Sequence, residues 1–379
     1  MKYYFGSQKL SMLQQEKKIL HITSSGARGG IETLLRDVVC SSTFENTYCA
    51  LFSGGDIVDD LAARGKPVLD LSNESIPQKI IQLNKGIKDN AYDVICIHDF
   101  TGTFIVLCSL INMQGTPYIQ FLHAPYSSEF VPARLRLPLF RYITGQMYKK
   151  ANAILAVSDY VLKNHRDTFG PLENGRVLYN AVDTSRFLSS CKKRNGVINK
   201  PVRLLYLGRL EYRKGVQVSL EACRMLKDRG VRFSFTIAGY GSYEPTLKKI
   251  TEDLNLEDCV TFYGKTDYPE RLYEDTDVFL HSPIYDEAFG ITILEAMASG
   301  CLVVAARSGG IPEVISDGKN GFLTEKYSSE NIADAVERIL ALNREAIEGI
   351  IKNGRLTADR FAIGSYIAKF ENQITEVLI

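Results

Sequence analysis

The sequence predicts an α/β protein of two open, mainly parallel sheets of similar size. Three observations lead there. Short apolar runs alternate with helical patterns, the signature of strand–helix–strand units. The alternation is interrupted by a polar, basic stretch at 189–200 and restarts near residue 202. A chain of 379 residues also exceeds one ordinary core, which sets the expectation at roughly two to three domains.

In the first half, the apolar run 19–23 reads as a strand and the loop 24–30, Ser-Ser-Gly-Ala-Arg-Gly-Gly, as a turn into a helix at 31–39. Further strands are expected at 48–52, 94–98, 118–123 and 153–157. The second series has strands at 203–206, 233–238, 260–263, 278–281 and 302–305, with helices at 216–227 and 243–254 between them. Residues 331–379 are nearly all helical in pattern. The resulting division is 1–185, 186–360 and a closing helical segment at 361–379.

Composition narrows the class. A hydrophobic share of 45% with 23% charged residues is that of a globular protein. A net charge of +1 gives no global electrostatic case for nucleic acid. No apolar run reaches the length of a spanning helix, about 18 residues. The first nine residues lack the apolar stretch of a signal peptide and read as an extension before the first strand. Eight scattered cysteines without a Cys-x-x-Cys fit free thiols in a reducing cytoplasm, and five histidines show no metal spacing.

The segment 286–300, Asp-Glu-Ala-Phe-Gly-Ile-Thr-Ile-Leu-Glu-Ala-Met-Ala-Ser-Gly, carries the densest chemistry. Ile291, Leu294 and Met297 recur at helical spacing and Gly300 is a natural stop. Gly290 then falls at the helix start, where free N–H groups and the positive end of the dipole favour an anion. Glu287 stands before that start and Glu295 inside the helix. Such an arrangement suits a ligand with both hydroxyls and phosphates. A second group, Gly208-Arg209 through Lys214-Gly215, is a basic loop after a strand, fit for a diphosphate or simply a solvated surface. The third, Ser308-Gly-Gly-Ile-Pro-Glu313, permits close backbone approach to a ligand or makes a tight turn. The loop at 24–30 departs from Gly-x-Gly-x-x-Gly, and no acidic residue ends a second strand as a nicotinamide site requires. Asp275-x-Asp277 is short enough to arise by chance, with Asp277 marking a helix end, and no metal requirement is expected.

Taken in order, Gly29-Gly30-x-Glu32, His123, Asn180-Ala-Val-Asp183, Gly208-Arg209…Lys214-Gly215, Gly239-x-Gly241, Glu287-x7-Glu295 and Ser308-Gly-Gly-Ile-Pro-Glu313 resemble the retaining glycosyltransferases of family four, over nearly the whole chain from about residue 18. The resemblance implies the GT-B fold: two Rossmann-like domains facing across a cleft, the C-terminal helix crossing back to the first. It implies that Arg209 and Lys214 bind the donor diphosphate and neutralise the leaving group. Backbone N–H groups around Ala288, Phe289, Gly290 and Ile291 hold phosphate and sugar. Glu287 contacts sugar hydroxyls and Glu295 the ribose, while Gly208, Gly264 and Lys265 line the nucleotide. Gly30 approaches the diphosphate from the first domain and His123 lies beside the donor sugar; His98 is left as a core or acceptor-side residue.

The activity so implied is metal-independent transfer from a nucleotide sugar, UDP-linked, to a saccharide or lipid-linked acceptor of the cell envelope, with no cofactor. A sugar-nucleotide epimerase and a non-catalytic partner subunit remain as alternatives, and a nicotinamide oxidoreductase as a distant one. Residues 131–151 contain five basic and no acidic side chains around Leu139, Phe140, Ile143 and Met147. That segment reads either as a peripheral contact with the inner face of a membrane or as a helix on its own domain.

Overall fold

The computed structural model describes residues 17–99, 102–113, 115–127, 138–187 and 196–379. In chain order the first series is β1 (Lys18–Ser25), α1 (Gly30–Ser41), β2 (Glu45–Ser53), α2 (Asp56–Ala63), β3 (Val68–Asp70), α3 (Ile76–Asn90), β4 (Val94–Ile97), α4 (Gly102–Ser109), β5 (Tyr118–Leu122), α5 (Pro138–Lys150), β6 (Ala153–Ala156), α6 (Asp159–Phe169) and β7 (Gly175–Val177). The second is β8 (Val202–Leu207), α7 (Val216–Asp228), β9 (Phe233–Ala238), α8 (Glu244–Asp253), β10 (Val260–Gly264), α9 (Pro269–Glu274), β11 (Val278–His281), α10 (Ile291–Ala298), β12 (Leu302–Ala306), α11 (Ile311–Val314) and β13 (Phe322–Thr324). Three helices close the chain: α12 (Ser329–Leu340), α13 (Arg344–Arg360) and α14 (Ile363–Val377). No described helix is long and apolar enough to cross a membrane.

Each series forms one parallel sheet. The orders are β3-β2-β1-β4-β5-β6-β7 and β10-β9-β8-β11-β12-β13. Helices cover both faces of such sheets, so the inner strands are apolar without alternation. Every residue of β4, β5, β6, β11 and β12 is buried. In both sheets the chain starts in the middle, winds to one edge, then returns to wind the other way. The reversal falls between β1 and β4 in the first sheet and between β8 and β11 in the second. Loops diverge above the strands at such a point and leave room for a ligand.

Two compact units result: described residues up to 157, 162–178 and 367–379; and residues 158–161 with 179–366. The sequence boundaries were expected at 185/186 and 360/361. The short segment 158–161 groups with the second unit because its polar atoms bond there. Ser158 Oγ donates to the Ala288 carbonyl at 2.7 Å, and the Asp159 and Tyr160 N–H groups donate to the Glu313 carboxylate at 2.9 and 2.8 Å.

The end of α14 belongs to the first unit. Phe370 and Ile374 are buried, Phe370 lying 6.3 Å ring to ring from Phe121 on β5. Glu371 accepts from the Ser42 hydroxyl and the Thr43 N–H at 2.8 and 2.7 Å, and Glu376 pairs with Arg176. Burying a phenylalanine ring of this kind is worth several kcal/mol, and its removal also leaves a cavity. Phe370→Ala is expected to lower the stability of the first unit by about 3–4 kcal/mol. Chemical denaturation followed by fluorescence or circular dichroism checks this; an unchanged midpoint would show that α14 does not hold that sheet.

Candidate functional site

In the second unit the loops that leave β8 and β11 meet above the reversal of strand order. Ile284 N–H donates to the Arg213 carbonyl at 3.1 Å, and Ser282 Oγ to the Gly215 carbonyl at 2.8 Å. These bonds set Lys214 over the segment that follows β11. Its ammonium donates to Glu287 Oε2 at 2.6 Å, both side chains being largely buried. His281 Nε2, at the end of β11, lies 3.6 Å from the same oxygen, too far for a hydrogen bond. Burial pushes the Glu287 carboxyl up, but the Lys214 charge and His281 outweigh it and hold the group well below the usual carboxylate range. Glu287 is therefore ionised at neutral pH and acts only as an acceptor.

Arg209 is exposed on the same loop, its guanidinium 3.1 Å from Glu211; Arg213 bonds the other oxygen of Glu211 at 2.6 Å. Gly208 follows β8 and Gly264 ends β10, the two strands that flank β9, and both are tied to the end of β9 and the loop after it. Gly208 N–H donates to Ala238 at 3.1 Å and Gly239 N–H to Gly264 at 2.8 Å. Gly239 has φ 133°, and a Cβ there would stand 1.8 Å from the Gly208 carbonyl oxygen, so no other residue fits. Lys265 is exposed, its ammonium 5.9 Å from the Tyr240 ring centroid.

Ala288, Phe289 and Gly290 lead into α10, with Gly290 at the N-cap and Ile291 first in the helix. Phe289 is buried. Among the described residues no acceptor engages the backbone N–H groups of Phe289, Gly290 and Ile291. They are the orphan donors of a helix start and can take an anion. The stretch 286–288 is fastened from several directions. Asp286 bonds Tyr160 Oη and Lys326 Nζ, and Ser308 Oγ lies 3.3 Å from Glu287 N while donating to Tyr285 O at 2.8 Å. Gly310 N–H donates to the Glu287 carbonyl at 2.8 Å, and a Cβ on Gly309 would sit 2.0 Å from that oxygen. The Ser-Gly-Gly turn thus brings backbone against backbone and braces Glu287.

Glu295 stands in separate surroundings. Tyr273 Oη donates to its Oε2 at 2.9 Å. Burial raises this carboxyl to about 7, against the lowering by the Tyr273 bond and the Arg186 charge; Glu270 raises it further. The two glutamates thus differ in charge state near neutrality, one fixed as an anion and one poised to titrate.

Gly30 and His123 belong to the first unit, Gly30 opening α1 and His123 following β5. His123 and His98 are buried and hydrogen-bonded to each other, so His98 is a polar core residue. Asp277 is buried between Asn199 Nδ2 at 2.7 Å and Arg203 N at 2.9 Å, a brace between β8 and β11, which its position at a helix end did not foretell. The segment 131–151 is described only in part. Residues 131–137 lie outside the described ones. On α5, Phe140 and Met147 are buried, Ile143 is half-buried and Leu139 is exposed, so half of the stripe serves the core of its own unit. His281, Glu211 and Tyr273 were missed: each lies outside the motif that carries its partner, with pairings made only by the fold.

The comparisons with known proteins agree with this architecture. Residues 44–186 match Glycosyltransferase Family 4 and residues 190–357 match Glycosyl transferases group 1, so the chain carries these two glycosyltransferase domains. The amylovoran biosynthesis glycosyltransferase AmsK of Erwinia amylovora is 35% identical over 154 residues, 39% of this chain and 38% of that protein. The GDP-mannose-dependent alpha-(1-6)-phosphatidylinositol monomannoside mannosyltransferase of Mycobacterium tuberculosis is 31% identical over 218 residues, 54% and 56% of the two chains. The chain spans about half the length of these curated relatives, or less. Anabaena HepE in complex with UDP and glucose superposes with a TM-score of 0.81 at 22% identity, over 95% of this chain and 100% of that one. The fold is GT-B, two Rossmann-like α/β domains.

The charge state of Glu295 gives a stability test. Its folded pKa, about 7, lies above the unfolded value near 4.5. Between those values the folded state holds a proton that the unfolded state has lost, so stability falls as pH rises through this window. Glu295→Gln removes that dependence. The wild-type protein should lose on the order of 2 kcal/mol relative to Glu295→Gln between pH 5 and pH 8. Parallel curves for the two proteins in thermal unfolding would show that Glu295 is not held neutral.

Proposed function

We propose that this pair of glycosyltransferase domains is a retaining, metal-independent transferase that moves a sugar from a nucleoside diphosphate donor, UDP-linked, to a glycan or lipid-linked acceptor in cell-envelope polysaccharide biosynthesis. The observation that carries the proposal is the Lys214–Glu287 contact above the β8/β11 reversal, with Arg209 on the same loop as Lys214 and open N–H groups at the start of α10.

In this reading the diphosphate rests on Arg209, Lys214 and the backbone N–H groups of Phe289–Ile291. The bond from the anomeric carbon to the phosphate oxygen breaks and a bond to an acceptor hydroxyl forms on the same face. The acceptor's proton passes to a phosphate oxygen. Charge gathers on the departing diphosphate, so fixed positive groups there are the main catalytic lever. Arg209 and Lys214 supply the charge that a metal supplies elsewhere. Glu287, an anion already paired with an ammonium, is a poor nucleophile and a good acceptor for sugar hydroxyls. Glu295, partly buried and near neutral without ligand, takes the ribose hydroxyls. Gly208, Gly264 and Lys265 flank the nucleotide.

The names of the relatives support transfer and envelope glycans, and they offer nothing to an epimerase. They differ on the base: the mycobacterial relative is named for GDP-mannose, and the fold neighbour is a complex with UDP. Thermal stabilisation by UDP-, GDP- and ADP-sugars selects the donor, because binding raises apparent stability by mass action.

With that donor, Arg209→Ala and Lys214→Met should each lower kcat/KM at least ~100-fold, the loss of one charge-stabilising group. Arg209→Ala should leave stability unchanged, whereas Lys214→Met should cost about 3 kcal/mol because Glu287 is left unpaired. Normal turnover in either variant would sink the diphosphate assignment.

A further inference from the structure

The first unit contains a second polar construction, made of none of the groups placed on the diphosphate above. Asn46, His21, His98 and His123 lie on or directly after four adjacent strands, β2, β1, β4 and β5. The register places them on a diagonal. Asn46 is level with Ile19, two residues before His21; His21 is level with Cys96, two before His98. Ile97 is level with Gln120, so His123 stands two residues beyond the level of His98. Residues two apart share a face of the sheet. The four side chains therefore climb one face, strand by strand, towards its carboxyl edge.

They are joined atom to atom. Asn46 Oδ1 lies 2.8 Å from His21 Nε2, His21 Nδ1 2.9 Å from His98 Nε2, and His98 Nδ1 3.0 Å from His123 Nε2. All four residues are buried. Phe121 stacks on His98 at 4.3 Å and Phe370 lies 5.7 Å from His21, so apolar rings seal the ladder.

The direction of the protons follows from one end. Asn46 Nδ2 donates to the Phe44 carbonyl at 2.7 Å. Turning the amide over would set two oxygens against each other with no proton between them, so Oδ1 must face His21. An amide oxygen only accepts, which puts a proton on His21 Nε2. A neutral imidazole has one N–H and one acceptor nitrogen. His21 Nδ1 then accepts from His98 Nε2, and His98 Nδ1 accepts from His123 Nε2. What remains is the lone pair on His123 Nδ1, a buried atom with no partner among the described residues. Burial lowers the pKa of His21 to about 4 and of His123 to about 3, and that of His98 well below its usual value, which keeps the imidazoles neutral. A buried acceptor left without a proton is costly, so the site calls for a ligand that brings one.

We infer that this ladder is a positioning device: Asn46 fixes the tautomers of His21 and His98 and so makes His123 Nδ1 an obligate hydrogen-bond acceptor, which selects a sugar hydroxyl over a carboxylate or phosphate oxygen. The ligand half of this inference rests on the sugar-nucleotide reading above; the proton order does not.

The test uses the full chain with 15N-labelled histidine, of which there are five. Long-range 1H–15N correlation at pH 7 tells which ring nitrogen carries the proton. His21, His98 and His123 should each appear as one neutral species with the proton on Nε2. An Nδ1–H tautomer or an imidazolium at any of the three overturns the ladder, and so does a zinc ion bound by His21, Cys96 and His98, which lie close enough to share one. In Asn46→Leu, checked for folding by circular dichroism, His123 should become a mixture of tautomers although three rungs separate the two residues. A folded variant with His123 unchanged overturns the relay; if the variant does not fold, the wild-type tautomers decide alone. UDP-glucose and GDP-mannose then serve as probes, and saturation by either should move the His123 Nδ1 resonance to that of a hydrogen-bonded acceptor. Binding without that movement overturns the selection of a hydroxyl. Failure of both probes to bind counts against the sugar-nucleotide reading and the ligand half with it, while the tautomers stand or fall without any ligand.

Discussion

The structure of the second unit turns on one contact, the Lys214 ammonium against the Glu287 carboxylate at 2.6 Å. Its two halves come from loops 73 residues apart in sequence, brought together because β8 and β11 are neighbours where the sheet reverses its winding. Much of the surrounding construction serves to hold the two loops in place. The carbonyls of Arg213 and Gly215 accept from Ile284 and Ser282, and the turn at Ser308–Gly310 presses on the backbone of Glu287. Partly buried ions of opposite sign are stable together and costly apart. A ligand that offers the ammonium a diphosphate and the carboxylate a set of hydroxyls satisfies both without leaving either alone.

The same logic separates the two glutamates of the seven-residue spacing. Two carboxylates so close in sequence would suggest a cooperating pair. The fold gives them different neighbours instead: a lysine at Glu287, which keeps it charged, and a tyrosine in largely buried surroundings at Glu295, which do not. An acid–base pair must face one reacting centre within reach of the proton it moves, whereas Glu287 bonds Lys214 and Glu295 bonds Tyr273. In the proposed reading these two hold different parts of one ligand.

Much of this was legible in the sequence. The inner strands announced themselves because strands buried on both faces are apolar throughout, and Gly290 marked the start of α10 correctly. The three strands that escaped notice, β3, β7 and β13, are three residues long and lie at sheet edges, too short for a pattern. Ser308-Gly-Gly was recognisable as a place of close approach, but only the fold shows that the approach is to the chain's own backbone. The histidine ladder was invisible for a related reason. His21, His98 and His123 are single polar residues in or directly after apolar strands, and their spacing in sequence says nothing about a diagonal across a sheet. A polar residue recurring at the ends of successive parallel strands is the signal that could have found it. The basic segment near α5 left two readings open because a pattern cannot say which of its apolar side chains fill the core; Phe140 and Met147 do, and Leu139 does not.

The most direct measurement of the central claim is calorimetric binding of UDP and of GDP, without sugar, to the wild type, Lys214→Met and Glu287→Gln. If Lys214 serves the diphosphate and Glu287 the sugar, Lys214→Met loses most of its nucleotide affinity. Glu287→Gln keeps it or gains, because the lysine is no longer shared with a carboxylate. Equal losses in both variants, or an undiminished affinity in Lys214→Met, would contradict the account.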